Sequence, residues 1–413
     1  MVDTYKGVRD FYPEDERVQR YMFDVMERTV ALFGYEPYNA SVLEPTELYT
    51  AKTSEEIVKE QTYTFTDRGN RSVTLRPEMT PTVARMVAAR RRALGFPLRW
   101  YSIQNFFRYE KPQKGRLREF WQLNVDLFGA TDTAADAESI EVAYRLLRAF
   151  GATEEMFTIK VADRNLLETA FDASGMDAKQ KGAYRRLLDK KNKMPEEEFT
   201  EEAKTITGAD PLLLIQKRDP SIAQALGETE TLLENLRERG MHNVRFDPSV
   251  VRGFDYYTGM VFEVFDTSGE NTRSIFGGGR YDYLVEEYGG SNVPAVGFAM
   301  GDVTTRDFLE THTLLPERRA TTDLYLAPVS AADVEGASGV AQFLRTQGLR
   351  VALGLKHEKI ADHIKAAEKL AIPFLAVYGQ NEAKNGMLAI RTLATKEEVA
   401  VPLEQVVRTL EAL

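Results

Sequence analysis

The sequence predicts an α+β domain built on an antiparallel sheet and interrupted by a helical insertion, followed by a smaller α/β domain. Three observations carry that expectation. Two long β-prone segments, 98–109 and 119–129, are joined by a short basic loop; the stretch from about 165 to 240 is dense in helix formers and charges; and from 322 onward strands and helices alternate. The length of 413 residues agrees, because a prior of ~150 residues per domain gives two or three cores. The expected division is 1–320 and 321–413, with the insertion inside the first part.

Residues 13–33 should form the first helix: Pro13 suits a first turn, and Val18, Tyr21, Met22, Val25, Met26 and Phe33 recur at helical spacing. Residues 62–66 and 72–75 are short β-prone runs around Asp67-Arg68-Gly69-Asn70, a hairpin signal. A helix should follow Pro77, from about 80 to 93, and another should span 132–150. Strand signals return at 244–266, Gly277-Gly278-Gly279 follows, and 294–300 reads as a short apolar strand leading into a helix. Beyond 320, strands at 323–327, 350–353, 374–378 and 387–391 alternate with helices at 336–345 and 360–370, which indicates a mostly parallel sheet.

Composition narrows the class. Hydrophobic residues make up 43% and charged residues 28%, ordinary for a soluble globular protein. No run approaches 18 apolar residues, and no apolar signal segment follows Met1-Val2-Asp3-Thr4. Absence of cysteine excludes disulfides, thiolate metal sites and cysteine nucleophiles. A cytoplasmic enzyme with no membrane attachment is the simplest expectation. The net charge of −10 argues against non-specific adhesion to nucleic acid, but a local basic surface can still hold phosphates. Arg85, Arg90, Arg91, Arg92 and Arg99 form one cluster, which could equally be a solvated helix face; Arg108, Lys111, Lys114, Arg116 and Arg118 form another.

The second cluster sits in the loop of the long hairpin, where strand parity is informative. On the second strand Trp121, Leu123, Val125 and Leu127 share one face, and Gln122, Asn124 and Asp126 share the other. On the first, Tyr101, Ile103, Phe107 and Tyr109 oppose Ser102, Gln104, Arg108 and Glu110. A face holding amides, hydroxyls and both charge signs favours the floor of a wet cleft over plain surface. Cations fixed at both ends by strands could clamp phosphates, since the arginine fork grips two oxygens at any pH, although the cations alone would equally suit a basic surface hairpin. Phe120 could stack on a base. Such a cleft fits ATP and a carboxylic acid held for in-line attack, chemistry that is mostly positioning and charge stabilisation.

Phe107-Arg108-Tyr109-Glu110 through Gln122 resembles motif 2 of the class II aminoacyl-tRNA synthetases, and the stretch from the first helix to Pro45 resembles their motif 1. Arg252-Gly253-Phe254-Asp255-Tyr256-Tyr257 and Gly278-Gly279-Arg280-Tyr281-Asp282 resemble two peptides peculiar to the histidyl-tRNA synthetases, and the likeness extends over nearly the whole chain. It implies ATP-dependent activation of L-histidine and its transfer to tRNA(His), with Mg2+ accompanying ATP, a homodimer joined through motif 1, and an anticodon-binding domain at 321–413. Carried over residue by residue, it implies that Arg108 holds the α-phosphate and the carboxylate, Arg116 the outer phosphates, and Phe120 covers the adenine. Glu78, Thr80 and Gln122 would receive the α-ammonium group, and Arg252 would stabilise charge building at phosphorus. Asp126 and Tyr257 would read the imidazole beside Tyr256 and Tyr281. A carboxylate and a phenol together can pair both imidazole nitrogens.

The bare residues leave other readings open. Glu78 could be a carboxylate favoured at a helix N-terminus, Tyr256-Tyr257 could be packing, and the three glycines could permit a bulge. Lys356, Lys359, Lys365 and Lys369 could contact RNA phosphates or be solvated helix charges. One departure stands out. After Gly297-Phe298-Ala299-Met300-Gly301 the family continues into an arginine lying over the adenine, but Thr304 occupies that position here. Arg306 completes the ATP-binding set of Arg108, Glu110, Arg116 and Phe120, although two residues on a helix turn it roughly 200° away. The rival reading is a non-catalytic, histidine-binding regulator of histidine biosynthesis; a class II ligase for another amino acid is disfavoured by the 252–257 peptide.

Overall fold

The computed structural model describes residues 2–50, 61–188, 190–191, 194–208, 210–250, 256–271, 273–316, 320–355 and 359–412. They form two compact units, Met1–Leu315 and Pro316–Leu413.

The first unit is organised by an eight-stranded sheet. In spatial order its strands are Glu36–Pro37, Leu98–Phe107, Glu119–Phe128, Ala295–Gly301, Ser274–Arg280, Met260–Asp266, Phe157–Asp163 and Val244–Phe246. Neighbours run antiparallel except at the two edges, where a very short strand adds in parallel. Alternation along Glu119–Phe128 sends Leu123, Val125 and Leu127 into an apolar layer that also holds Phe262, Val264, Phe276, Phe298 and Met300. The helices Pro13–Ala31 and Thr133–Ala149 pack on that layer through Met22, Val25, Met26, Ile140, Ala143 and Leu147. Burying each large apolar side chain contributes about 1.5–3 kcal/mol, so this face carries most of the unit's stability. Asp132 starts the second helix by accepting from the Ala134 N–H at 2.7 Å.

The opposite face is only partly covered. The helix Thr80–Arg90 lies there with Val83, Ala84 and Val87 buried. A small antiparallel sheet adjoins it, in the order Leu43–Pro45, Ser72–Leu75, Tyr63–Thr66. Hydroxyls of Thr46, Thr64 and Thr74 bond across its strands at 2.8–2.9 Å, and Asp67 closes the hairpin by accepting from the Gly69 and Arg71 N–H groups. The uncovered part of this face is the candidate site.

Helices Arg164–Ala173, Ala178–Leu188, Glu196–Ile206, Pro211–Gln216 and Ala223–Glu238 make up the insertion. All five contribute to a core of their own around Leu166, Phe171, Tyr184, Phe199, Ile215 and Leu226. Two departures from the sequence reading concern strands. Phe157–Asp163 is an interior strand, next to the edge, that the sequence reading passed over. The signals at 244–266 resolve into Val244–Phe246 and Met260–Asp266, because Asp247-Pro248 breaks the run, with Asp247 accepting from the Ser249 N–H and hydroxyl.

The second unit has a five-stranded sheet in the order Val351–Leu353, Leu324–Pro328, Phe374–Tyr378, Met387–Thr392, Glu398–Pro402. The first three are parallel and the last two antiparallel, so the sheet is mixed where a mostly parallel one was expected. Hairpin-forming residues at 393–397 allow the final strand to return without a crossover helix.

Candidate active site

Three strands supply the floor. Trp100, Asp126 and Gly297 stand opposite one another, as do Ser102, Asn124 and Ala299, then Gln104, Gln122 and Gly301. Gly297 has to lack a side chain, because a Cβ there would lie 2.4 Å from the Val125 carbonyl oxygen and 2.6 Å from the Asp126 carboxylate. Over this floor hang Tyr281, leaving the end of strand Ser274–Arg280, and Tyr256 and Tyr257, which precede strand Met260–Asp266. The Tyr256 ring packs on Tyr257 and Tyr281 at centroid distances of 4.9 and 5.8 Å. Arg280 anchors the Tyr281 corner by bonding to Asp136 at 2.9 Å, to Asp282 and to the Ala130 carbonyl.

Glu78 and Thr80 enter from the start of helix Thr80–Arg90. Arg76 fixes that approach: its guanidinium donates to the Asn105 carbonyl, the Ala40 carbonyl and the Gln104 amide oxygen at 2.8–2.9 Å. The Tyr256 hydroxyl donates to Glu78 Oε2 at 3.0 Å. Burial and the Glu78 charge hold the Tyr256 phenol well above its usual range, so it remains a donor.

Together Glu78, Thr80, Arg108, Gln122, Asn124, Asp126, Tyr256, Tyr257 and Tyr281 line one pocket of about 90 Å3, room for about six water-sized groups. At its inner end Asp126 is only 4% exposed. Its Oδ1 accepts from the Tyr281 hydroxyl, while its Oδ2 is buried and has no hydrogen-bond partner among the described residues. Burial pushes the carboxyl up to about 7, against the Tyr281 and Tyr38 hydroxyls, which favour the ionised form. A buried acceptor without a donor is costly unless a ligand supplies one. The pocket therefore suits a small ligand with an N–H at its inner end and a cation near Glu78.

The pocket opens past Arg108, Gln122 and Ala299 into a cleft of about 220 Å3 lined by Glu110, Arg116, Phe120, Phe276, Gly277 and Thr304. Arg108 donates to the Pro77 carbonyl at 2.9 Å and lies over the Phe120 ring, whose other neighbour is Phe106. Arg116 sits at a tight turn closed by mutual backbone bonds with Gln113 and pairs with Glu110 at 3.3 Å. Guanidinium groups beside stacked aromatic rings are suited to a nucleotide polyphosphate. The cleft continues outward for a further 360 Å3 or so, past Lys114, Arg273 and Asp307.

Residues 7–303 match the family model for histidyl-tRNA synthetase and 323–413 that for an anticodon binding domain. A protein named histidine–tRNA ligase from Leptospira biflexa is 38% identical over 424 residues, spanning 99% of this chain and 97% of its own. The chain belongs to the histidyl-tRNA synthetase family. Proteins named histidine–tRNA ligase from Opitutus terrae and Haloarcula marismortui are 39% and 35% identical, over 97% and 98% of this chain and 96% of theirs. The crystal structure of histidyl-tRNA synthetase from Nostoc sp. PCC 7120 shares the fold with a TM-score of 0.83 at 22% identity, covering 99% of both chains. That of apo S. aureus histidyl-tRNA synthetase does so at 0.72.

Some residues assigned by likeness to histidyl-tRNA synthetases fall elsewhere. Arg252 and the rest of 251–255 lie outside the described residues, as does Lys356. Arg306 is not on the cleft: it pairs with Asp15 at 3.0 Å and Glu310 at 2.8 Å, while Thr304 lines the cleft and donates to the Ile275 carbonyl. The helical rotation between 304 and 306 accounts for the difference. In the second unit Lys365 lies 3.8 Å from Asp362. Parity had already set Ser102 on the face read as a cleft floor, without giving it a role; sequence reasoning passed over Arg273 at the outer cleft and Tyr38. Tyr38 leaves an edge strand of two residues, too short for any periodic signal.

Proposed function

We propose that the chain is a histidine–tRNA ligase that activates L-histidine with ATP to histidyl-adenylate and pyrophosphate, then passes the histidyl group to tRNA(His). The observation that carries this reading is the unpartnered Asp126 Oδ2 at the inner end of a pocket opening onto an arginine-lined cleft. The imidazole N–H meets Asp126, with Tyr257 beside it reading the second ring nitrogen. The α-ammonium group lies towards Glu78, Thr80 and Gln122. The carboxylate then emerges at Arg108, where pocket and cleft join, in line for attack on the α-phosphorus. Arg108 and Arg252 offset charge developing there, Arg116 takes the outer phosphates, and the base lies against Phe120.

Magnesium accompanies the triphosphate and neutralises charge between its phosphates. Among the described residues no cluster of three or more acidic or histidine side chains could hold a metal ion; the metal would be carried by the triphosphate, and Glu110, which lines the cleft, would offer it one carboxylate. Arg306, engaged by Asp15 and Glu310, takes no part in ATP binding on this reading. The 321–413 region binds the anticodon arm, the chain acts as a homodimer, and it works in the cytoplasm. No helix among the described residues is long and apolar enough to cross a membrane. The regulatory alternative is not favoured, because ligase-named relatives match nearly the full chain, including the anticodon-binding region.

Amino-acid-dependent ATP–pyrophosphate exchange, run with each amino acid in turn, tests the reading. Exchange with histidine alone is expected. Exchange with no amino acid favours the regulator, and exchange with another one gives the pocket a different substrate.

A further inference from the structure

Beneath the pocket, three polar atoms are each shielded from solvent and have no aligned hydrogen bond among the described residues: Tyr38 Oη, Ser102 Oγ and Asp126 Oδ2, with Tyr38 neighbouring the other two side chains. They arrive from three elements. Tyr38 follows the edge strand Glu36–Pro37, and its N–H donates to the Tyr101 carbonyl at 2.9 Å, which fixes its backbone against strand Leu98–Phe107. Its ring lies against Trp100 at 5.5 Å, and Trp100 stands directly opposite Asp126. Ser102, one step along the same face, is 1% exposed. The hydroxyl of Tyr38 feels both the Ser102 hydroxyl and the Asp126 carboxylate, and the carboxylate in turn feels Tyr38. Other titratable or charged groups around the cluster are Tyr281, bonded to Asp126; Tyr35, which senses the Asp126 charge; Arg76, which acts on Tyr38; and Tyr256, beside Tyr281.

A carboxylate in this position can serve a ring N–H only while it is ionised and correctly turned. Tyr281 occupies one oxygen. Rotation of two hydroxyls alone would let Ser102 donate to Tyr38 Oη and Tyr38 donate to Asp126 Oδ2, leaving the outer lone pair of that oxygen facing the pocket. We propose that Tyr38, supported by Ser102, is a positioning residue that keeps the free oxygen of Asp126 ionised and aimed at the ring N–H of the bound amino acid. This rests on the reading of Asp126 as the imidazole acceptor. Tyr38 touches Asp126 and not the substrate, so it acts through that carboxylate.

Steady-state exchange across pH 5.5–9 with unmodified protein, Tyr38→Phe and Ser102→Ala tests it. Losing a hydrogen bond to a charged group should raise the KM for histidine about tenfold in Tyr38→Phe at neutral pH. The acid limb of kcat/KM for histidine should move to higher pH, and the KM for ATP should stay put. Ser102→Ala should shift the limb in the same direction by less. Titration of free histidine is common to all three proteins and cancels in the comparison. A Tyr38→Phe protein with an unmoved limb and unchanged KM for histidine overturns the inference. So does equal loss towards histidine and ATP, which would mark plain packing; if Tyr38→Phe fails to fold, an unmoved limb in Ser102→Ala does the same. Absence of histidine-dependent exchange in the unmodified protein overturns the ligase reading first and this inference with it.

Discussion

On the proposed reading, Asp126 trades stability for recognition. Burial pushes its carboxyl up to about 7 in the folded chain, against about 3.9 when unfolded. A raised folded value means that stability is fullest below the ordinary carboxylate range and is lost as pH climbs towards 7. Asp126→Asn, which cannot ionise, should therefore be more stable than the parent at pH 8 by about a few kcal/mol. That advantage should shrink on acidification to pH 5, while histidine-dependent exchange disappears at every pH because an amide N–H now faces the ligand's N–H. Paired urea titrations at the two pH values check this; a stability difference independent of pH would remove the assigned ionisation. Arg306 teaches the opposite lesson at the same scale. It is two residues from a position the family fills with arginine, and the rotation of the helix over those two residues already turns it away; the pairing with Asp15, far away in sequence, is the part that no local pattern contains.

At the level of elements, what could be read from sequence tracked the length and periodicity of each segment. The ten-residue strands Leu98–Phe107 and Glu119–Phe128 declare their two faces by alternation, so Gln122, Asn124 and Asp126 could be set on one face before any partner strand was known. Helices with apolar spacing, such as Pro13–Ala31, were equally legible. Phe157–Asp163 was passed over although Phe157-Thr158-Ile159-Lys160-Val161 alternates apolar and polar residues, because seven residues beside a long helical insertion give that alternation little room to stand out. Nor was the role of Gly297: a glycine in a strand announces a close approach but not what approaches. A methyl group added there would collide with the Val125 carbonyl at the pairing of Ala295–Gly301 with Glu119–Phe128. Gly297→Ala should cost about 1–3 kcal/mol through forced strand separation and should raise the KM for histidine more than that for ATP. Thermal melts and exchange kinetics report the two effects; a variant with parental melting and parental kinetics would show that the strands have slack.

Across the whole molecule, the chain divides into Met1–Leu315 and Pro316–Leu413, which match different family models. The second unit buries its own core of Leu324, Leu326, Ala341, Leu344, Ala376 and Ile390 and should fold alone with a cooperative melt. The first unit expressed to Leu315 should retain much of the histidine-dependent exchange while charging of tRNA falls at least tenfold, as expected when a second binding module is removed. Loss of both activities together would mean that the second unit is needed to build the first. Within the first unit the buried Asp302 gathers distant segments: its carboxylate accepts from Arg9, from Gln19 and from the backbone N–H of Trp121, 181 residues earlier in the chain. That spacing has a meaning during synthesis. At about 5–20 residues per second a ribosome needs roughly ten to forty seconds to travel from Trp121 to Asp302. Through that interval Glu119–Phe128 has its hairpin partner on one side and an unmated edge on the other, the kind of edge that recruits foreign strands. The nascent chain is thus most vulnerable to aggregation while its candidate site is half built, and a holding chaperone should engage it most strongly over that window of lengths.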